Sequence, residues 1–319
     1  MENILITGIS GQDGIFLTSK LLSSTKLNIY GVSRKSKNLF LKKLSSINNL
    51  PAKNVNIINV DLNNKETVFK FVNDINPKII FNLSGPSSVY DSFTDNEMSK
   101  NAILNIFTNL VEASFNLKNF PKFFQASSSE MFGLNQNEIL NEKNIFLPNS
   151  PYAEAKLTIH ELIKELYTQK GFEIKSGIMF NHESEFRNNN YLFMKIINYA
   201  MNAKSLNKKL EVGSFELVRD WSFAGDIADG ILKLTLEGKD VDYCIGSGEG
   251  NSIKKLVNII FDHFNLDYLD YVQENPKILR KNDPIKRISD SSKLKKELSW
   301  SPKLNFEELV ERCVFRKFD

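Results

Sequence analysis

NILITGISGQDG, residues 3–14, decides the fold of this chain. Its first half, with Ile4, Leu5 and Ile6, is a short apolar run that reads as a buried strand. Its second half spaces Gly8, Gly11 and Gly14 by three residues where a helix begins. Glycines there allow a tight turn and let backbone N–H groups at a helix N-terminus approach a pyrophosphate. Ser10, Gln12 and Asp13 lie in the same turn and are grouped with it as cofactor contacts. A triple glycine alone is a weak signal. Between a first strand and a first helix it becomes a specific one.

Outward from the turn, strand-like and helix-like stretches alternate. IFLTSKLLSS has helical spacing, LNIYGVS and VNIINVDL read as strands, KETVFKFVNDI as a helix and PKIIFNLSG as a buried strand. A long amphipathic helix, NAILNIFTNLVEASFNL, precedes the strand KFFQASSS. Buried strands alternating with helices predict an α/β fold, a Rossmann-like doubly wound parallel sheet with a smaller C-terminal lobe. The expected division gives residues 1–176, plus about 217–246, to the nucleotide-binding domain. About 177–216 and 247–319 then form the substrate lobe.

The second strand ends in GVSRKS. An NAD site usually carries an acidic residue about 20 positions after the glycines, to hold the ribose 2′-hydroxyl. Ser33, Arg34, Lys35 and Ser36 stand there instead, so a 2′-phosphate and hence NADP is expected, with Arg34 as its contact. Asp61 and Leu62 end the third strand, where an adenine ring would lie. Leu83 and Ser84 end the fourth, near the nicotinamide ribose.

Composition narrows the class. With 41 basic against 38 acidic residues the net charge is only +3, which is no nucleic-acid footprint. Cys244 and Cys313 are far apart and form no CxxC pair, and His160, His182 and His263 form no HExxH, so no metal is expected. MENILITG reads as a strand and not a signal peptide. No apolar run approaches the roughly 18 residues of a membrane helix, so a cytoplasmic location is the expectation.

SPYAEAK carries Tyr152 and Lys156 four residues apart, on one face of a helix. An ammonium beside the phenol, with a cofactor cation nearby, is expected to move the tyrosine toward neutrality, so that it can take a proton from a sugar hydroxyl as hydride leaves the same carbon. Alone, this spacing is common on surface helices. Here it follows a nucleotide turn and FFQASSSEMFG, residues 123–133, which places Ser128 and Glu130 at a strand end.

Together, TGISGQDG, QASSSEMFG and SPYAEAK resemble the extended short-chain dehydrogenase/reductase superfamily. FNHES, RDW and the tail ISDSSKLKKELSWSPKLNFEELV bring the resemblance to the GDP-mannose 4,6-dehydratase family, along nearly the whole chain. The resemblance implies a GDP-hexose substrate, GDP-mannose first. Ser128 takes the place of the residue that hydrogen-bonds the sugar O4. Glu130 takes the place of the carboxylate acting at C5 and C6. Tyr152 and Lys156 also face the cofactor.

The same resemblance makes Ser87, Asn181, Glu183, Arg187, Lys195, Arg219, Arg280 and Asp283 substrate contacts, with Arg219 and Arg280 clamping diphosphate and nucleotide. Pro86, Ser88, Glu185 and Phe186 depart from the family near the expected hexose and diphosphate. Another GDP-sugar, such as GDP-N-acetylglucosamine or a GDP-heptose, therefore stays open, as does a 4-reductase or epimerase. A non-catalytic NADP-binding role is the third possibility. The loop 34–50 corresponds to a segment that meets a neighbouring subunit, implying a homodimer or homotetramer.

Overall fold

Side-chain alternation in five parallel strands decides how the main sheet is covered. They are β1 (Glu2–Thr7), β2 (Leu27–Val32), β3 (Val55–Ile58), β4 (Ile79–Asn82) and β5 (Lys122–Ser128). Ile4 and Ile6 of β1, Phe81 of β4 and Phe124 of β5 enter one buried cluster. Their neighbours Leu5, Ile80 and Phe123 enter a second. A period of two sends successive side chains to opposite faces, so strands buried on both sides must be apolar throughout.

The computed structural model describes residues 2–23, 26–48, 50–86, 89–94, 96–280 and 283–315. Among them the main sheet runs Asp242–Ile245, Ile174–Met179, β5, β4, β1, β2, β3, all parallel. This is a Rossmann-like, doubly wound α/β sheet. Strand order reverses between β1 and β4, and ligands of such sheets bind outside the carboxyl ends at that point. Helix α1 (Gln12–Leu21) and the helix Ala224–Glu237 cover the first face, tied by a 2.6 Å Lys20–Asp229 ion pair. Buried residues of the helices Asn96–Phe115 and Pro151–Lys170 cover the second.

The segment 34–50, expected as a loop, contains a helix, α2 (Lys37–Ser45). Ser36 caps it by accepting from the Leu39 N–H, and Phe40 and Leu44, four residues apart, bury its inner face.

A second sheet runs Gly250–Ser252, Val218–Asp220, Lys286–Ser289, Ile139–Leu140. Its parallel central pair sets Arg219 directly opposite Arg287. Buried Asp220 accepts from the N–H groups of Ser247, Gly248 and Ser289, which compensates its lost hydration. Among the described residues, no helix is long and apolar enough to cross a membrane, and no cluster of three or more acidic, His or Cys side chains is set to hold a metal.

Candidate active site

The glycine turn lies at the switch point. Gly8 has φ +68°, and a Cβ there would stand 2.8 Å from the Leu83 carbonyl oxygen at the end of β4. Both facts require glycine. A Cβ on Gly14 would stand 2.5 Å from the Ile9 backbone, so α1 packs flush against the turn. Gly11 is the N-cap of α1 and offers no side-chain cap, whereas Ser36 and Ser150 cap their own helices. The first N–H groups of α1 are left to a ligand, which fits the residues to a dinucleotide pyrophosphate.

Gln12 and Asp13 face inward. The Gln12 amide donates to the His182 carbonyl (2.9 Å) and accepts from the Ser184 hydroxyl (2.9 Å), pinning the turn to the segment after Met179. Asp13 pairs with His182 Nε2 at 3.1 Å. Burial opposes charge on both, but the pair overrides it: the carboxyl is lowered and the imidazole raised. The other ring nitrogen, Nδ1, lies 2.7 Å from the Phe180 carbonyl, so both nitrogens of an imidazolium have acceptors.

At the end of β2, Ser33 donates to Ser10 Oγ (2.8 Å), and Arg34 is exposed just beyond it. Asp61 is exposed and caps the Asn63 N–H, while buried Leu62 gives its carbonyl to Asn109. Leu83 and Ser84 are half-buried beside Gly8, and the Ser84 N–H donates to Thr7 Oγ1 (3.2 Å). Ser87 and Ser88 lie outside the described residues.

Pro151 and the Ser150 cap start the helix that carries Tyr152 and Lys156. Both side chains are buried. Lys156 donates to the Ala126 carbonyl (2.8 Å), and its ammonium stands 5.6 Å from the Tyr152 ring centre. Burial brings the lysine down to about 8. Among the protein's own groups the tyrosine moves upward. Burial, together with the Glu130 charge, pushes it up to about 12 against a hydrogen bond from Ser128. The ammonium is directed at a main-chain carbonyl, so it does not stabilise the phenolate by contact.

Ser128 ends β5, and Glu130 sits on a short 3₁₀ turn, Ser129–Phe132, its N–H donating back to Ser128 Oγ (3.2 Å). Two guanidiniums hold its carboxylate: Arg287 at 2.7 Å and Arg280 at 3.2 Å. Burial works against the charge, yet these two bring Glu130 down to about 2. Arg280 also pairs with Asp283 at 3.1 Å. Arg219, expected as a diphosphate clamp, is turned inward. It donates to the carbonyls of Val218 (2.8 Å) and Pro284 (3.0 Å) and to Asp283 (2.8 Å), and so fixes the loop that carries Arg280.

The remaining substrate candidates divide. Asn181 is half-buried, and its carbonyl accepts from the Ser222 N–H just before the short parallel pairing of His182–Glu183 with Ser222–Phe223. Glu183, raised by burial, pairs with Arg187 at 3.2 Å, and that guanidinium stacks on Tyr191 at 3.6 Å. The Arg187 charge lowers both Asp13 and Tyr152. Lys195 instead faces an open groove with Tyr199, Leu206, Lys208 and Lys209. Glu185 is tied to Arg312, and Phe186 packs on Phe16 in the core.

His182 and Arg287 are the functional-looking residues that sequence reasoning passed over. His182 stood inside FNHES, where its spacing to Asp13 is invisible. A Ser176–His160–Asp242 row (3.1 and 3.2 Å) also exists, but all three are buried and no substrate could reach the hydroxyl.

The family model described as GDP-mannose 4,6 dehydratase matches residues 5–313. GDP-mannose 4,6 dehydratase 1 of Arabidopsis thaliana is 31% identical, covering 97% of this chain and 88% of its own. The Homo sapiens GDP-mannose 4,6 dehydratase is 29% identical, covering 97% and 90%. In fold, the dTDP-glucose 4,6-dehydratase DesIV of Streptomyces venezuelae, solved with NAD bound, superposes with a TM-score of 0.85 at 18% identity, over 98% of this chain and 95% of that one. A match that runs from β1 to the last helix leaves no part of the site outside it, and the chain belongs to the GDP-mannose 4,6-dehydratase family.

Proposed function

We propose that this protein is an NADP-dependent 4,6-dehydratase of a GDP-hexose, with GDP-mannose as the substrate. One observation carries the reading: Glu130 stands beside Ser128 and Tyr152, so a carboxylate shares the site with the phenol. Oxidation and reduction at C4 need only the phenol and the hydroxyl. Elimination of water across C5 and C6 needs a further acid/base group.

The residues then have distinct tasks. Ser128 hydrogen-bonds O4 and Tyr152 accepts its proton. The nicotinamide cofactor, when bound, accepts the hydride from C4 and later returns it to C6. Lys156 and Tyr152 hold the ribose beside the sugar. Once C4 is a ketone, the C5 proton is acidic enough for Glu130 to take. Glu130 gives a proton to the departing C6 hydroxyl, which leaves as water, and a proton finally returns to C5. Arg187 and Arg280 meet the diphosphate. The groove at Lys195 takes the nucleoside, since Gly213 beyond it packs on Leu279, the neighbour of Arg280. Exposed Arg34, with no acid at the end of β2, favours NADP over NAD. A homodimer or homotetramer, with α2 near the partner, and a cytoplasmic setting complete the reading.

One feature favours a second reading, a 4-epimerase or 4-reductase: a carboxylate held near 2 by two guanidiniums is a weak base. The discriminating assay supplies GDP-mannose and NADP without reductant. A dehydratase forms a product lighter by one water with no net change in NADPH. Glu130→Gln should keep fold and cofactor and lose about 10²- to 10⁴-fold in elimination. Full activity in that variant, or a product of unchanged mass, overturns the reading.

A further inference from the structure

Charge around Glu130 is unequally matched. Arg219 and Arg287 are register partners on adjacent strands, an arrangement that repels unless carboxylates intervene. Among the described residues, Arg219, Arg280 and Arg287 share Asp283 and Glu130. That is three guanidiniums on two carboxylates, an excess of one cation. Exposure separates the three: the side chains of Arg287 and Arg219 are 1% and 8% exposed, that of Arg280 is 30%. Arg287 is also held by the Gly133 carbonyl at 3.2 Å and Arg219 by those of Val218 and Pro284. If Arg280 leaves, Glu130 keeps Arg287 and Asp283 keeps Arg219. Arg280 is the cation the cluster can release.

We propose that Arg287 and Arg280 clamp Glu130 as a fixed and an exchangeable arm, and that the substrate's diphosphate frees the carboxylate by drawing Arg280 away. This rests on the dehydratase reading and adds a control to it. Arg280 offers a phosphate the same fork of donors it offers a carboxylate, so the two compete for it. While both arms are engaged, the carboxylate is a poor proton acceptor. With one arm withdrawn it regains affinity for a proton, and its lone pair is released toward C5–H. Elimination then waits until the diphosphate is seated. Arg287 is a positioning residue: it touches Glu130 and the turn that carries it. Among the described residues, Tyr152 also feels the Glu130 charge, and Arg219 acts on Glu130 as a third, more distant cation.

The test is binding, read by calorimetry on cofactor-loaded protein with GDP as the probe. Competition predicts opposite signs for two neighbours. Glu130→Gln frees Arg280 and should tighten GDP about two- to fivefold, the range expected for losing one partly exposed ion pair. Arg287→Met makes Glu130 depend on Arg280 alone and should weaken GDP by a similar factor, although Arg287 is too buried to reach it. Adding Glu130→Gln to Arg287→Met should restore the affinity, which a merely misfolded Arg287→Met could not do. Glu130→Gln with unchanged or weaker GDP binding overturns the proposal, and that variant decides the matter if Arg287→Met does not fold. If wild type prefers another nucleoside diphosphate, the GDP assignment fails while the sign test runs with that ligand. If wild type binds none, both readings fall.

Discussion

Glu130 should make stability depend on pH in a way its glutamine variant does not share. The guanidiniums of Arg287 and Arg280 lower it from 4.5 to about 2 in the fold. At about 1.4 kcal/mol per unit, the charged form contributes about 3 kcal/mol. The direction follows from which state binds the proton first. As pH falls, the unfolded chain takes up its proton near the ordinary glutamate value, while the folded one still resists. The contribution is therefore whole above about pH 5 and is lost progressively toward pH 2. At pH 3.5 the two-state expression puts the loss at about 1.4 kcal/mol. Urea unfolding of wild type and Glu130→Gln at a series of pH values from 7 to 3.5 measures this, because every other titration cancels in the difference. Wild type should lose about 1.4 kcal/mol relative to the variant over that range. A difference that stays flat with pH would show that Glu130 is not held by these two arginines in solution.

Gly14→Ala should destabilise the fold by about 1–3 kcal/mol, because its methyl meets the Ile9 backbone at 2.5 Å and neither side can yield cheaply; thermal melts with and without cofactor should show the loss and a weaker cofactor response. Arg34→Ala should cut NADP affinity about tenfold with little change for NAD, as measured by fluorescence titration, because an exposed guanidinium can select only for the added phosphate. Tyr152→Phe should fold normally and lose turnover by about 10²- to 10⁴-fold, seen in the same mass assay, since the ring stays packed while the proton acceptor is gone.

The halves of the molecule differ in how far they could be read from the chain. The sheet was legible because its code is local: Ile4, Leu5 and Ile6 alternate between two cores, and Gly8 follows them at once. The phenol and its lysine were legible for the same reason, being one helical turn apart. Their electrostatics were not, because the destination of the Lys156 ammonium, the Ala126 carbonyl, lies on a strand 30 residues earlier. Segment 34–50 was misjudged because its charge and serines concealed a helix with only two buried side chains. The arginine cluster was the least legible. Lys286 to Ser289 shows no apolar alternation, since both of its buried members, Arg287 and Ser289, are polar. Arg287 is burial without hydrophobicity, and only the register against Arg219 and the turn at Glu130 give it a reason. The acid/base group could thus be named from the motif around it, while what sets its strength comes from residues 150 and more positions away in the chain.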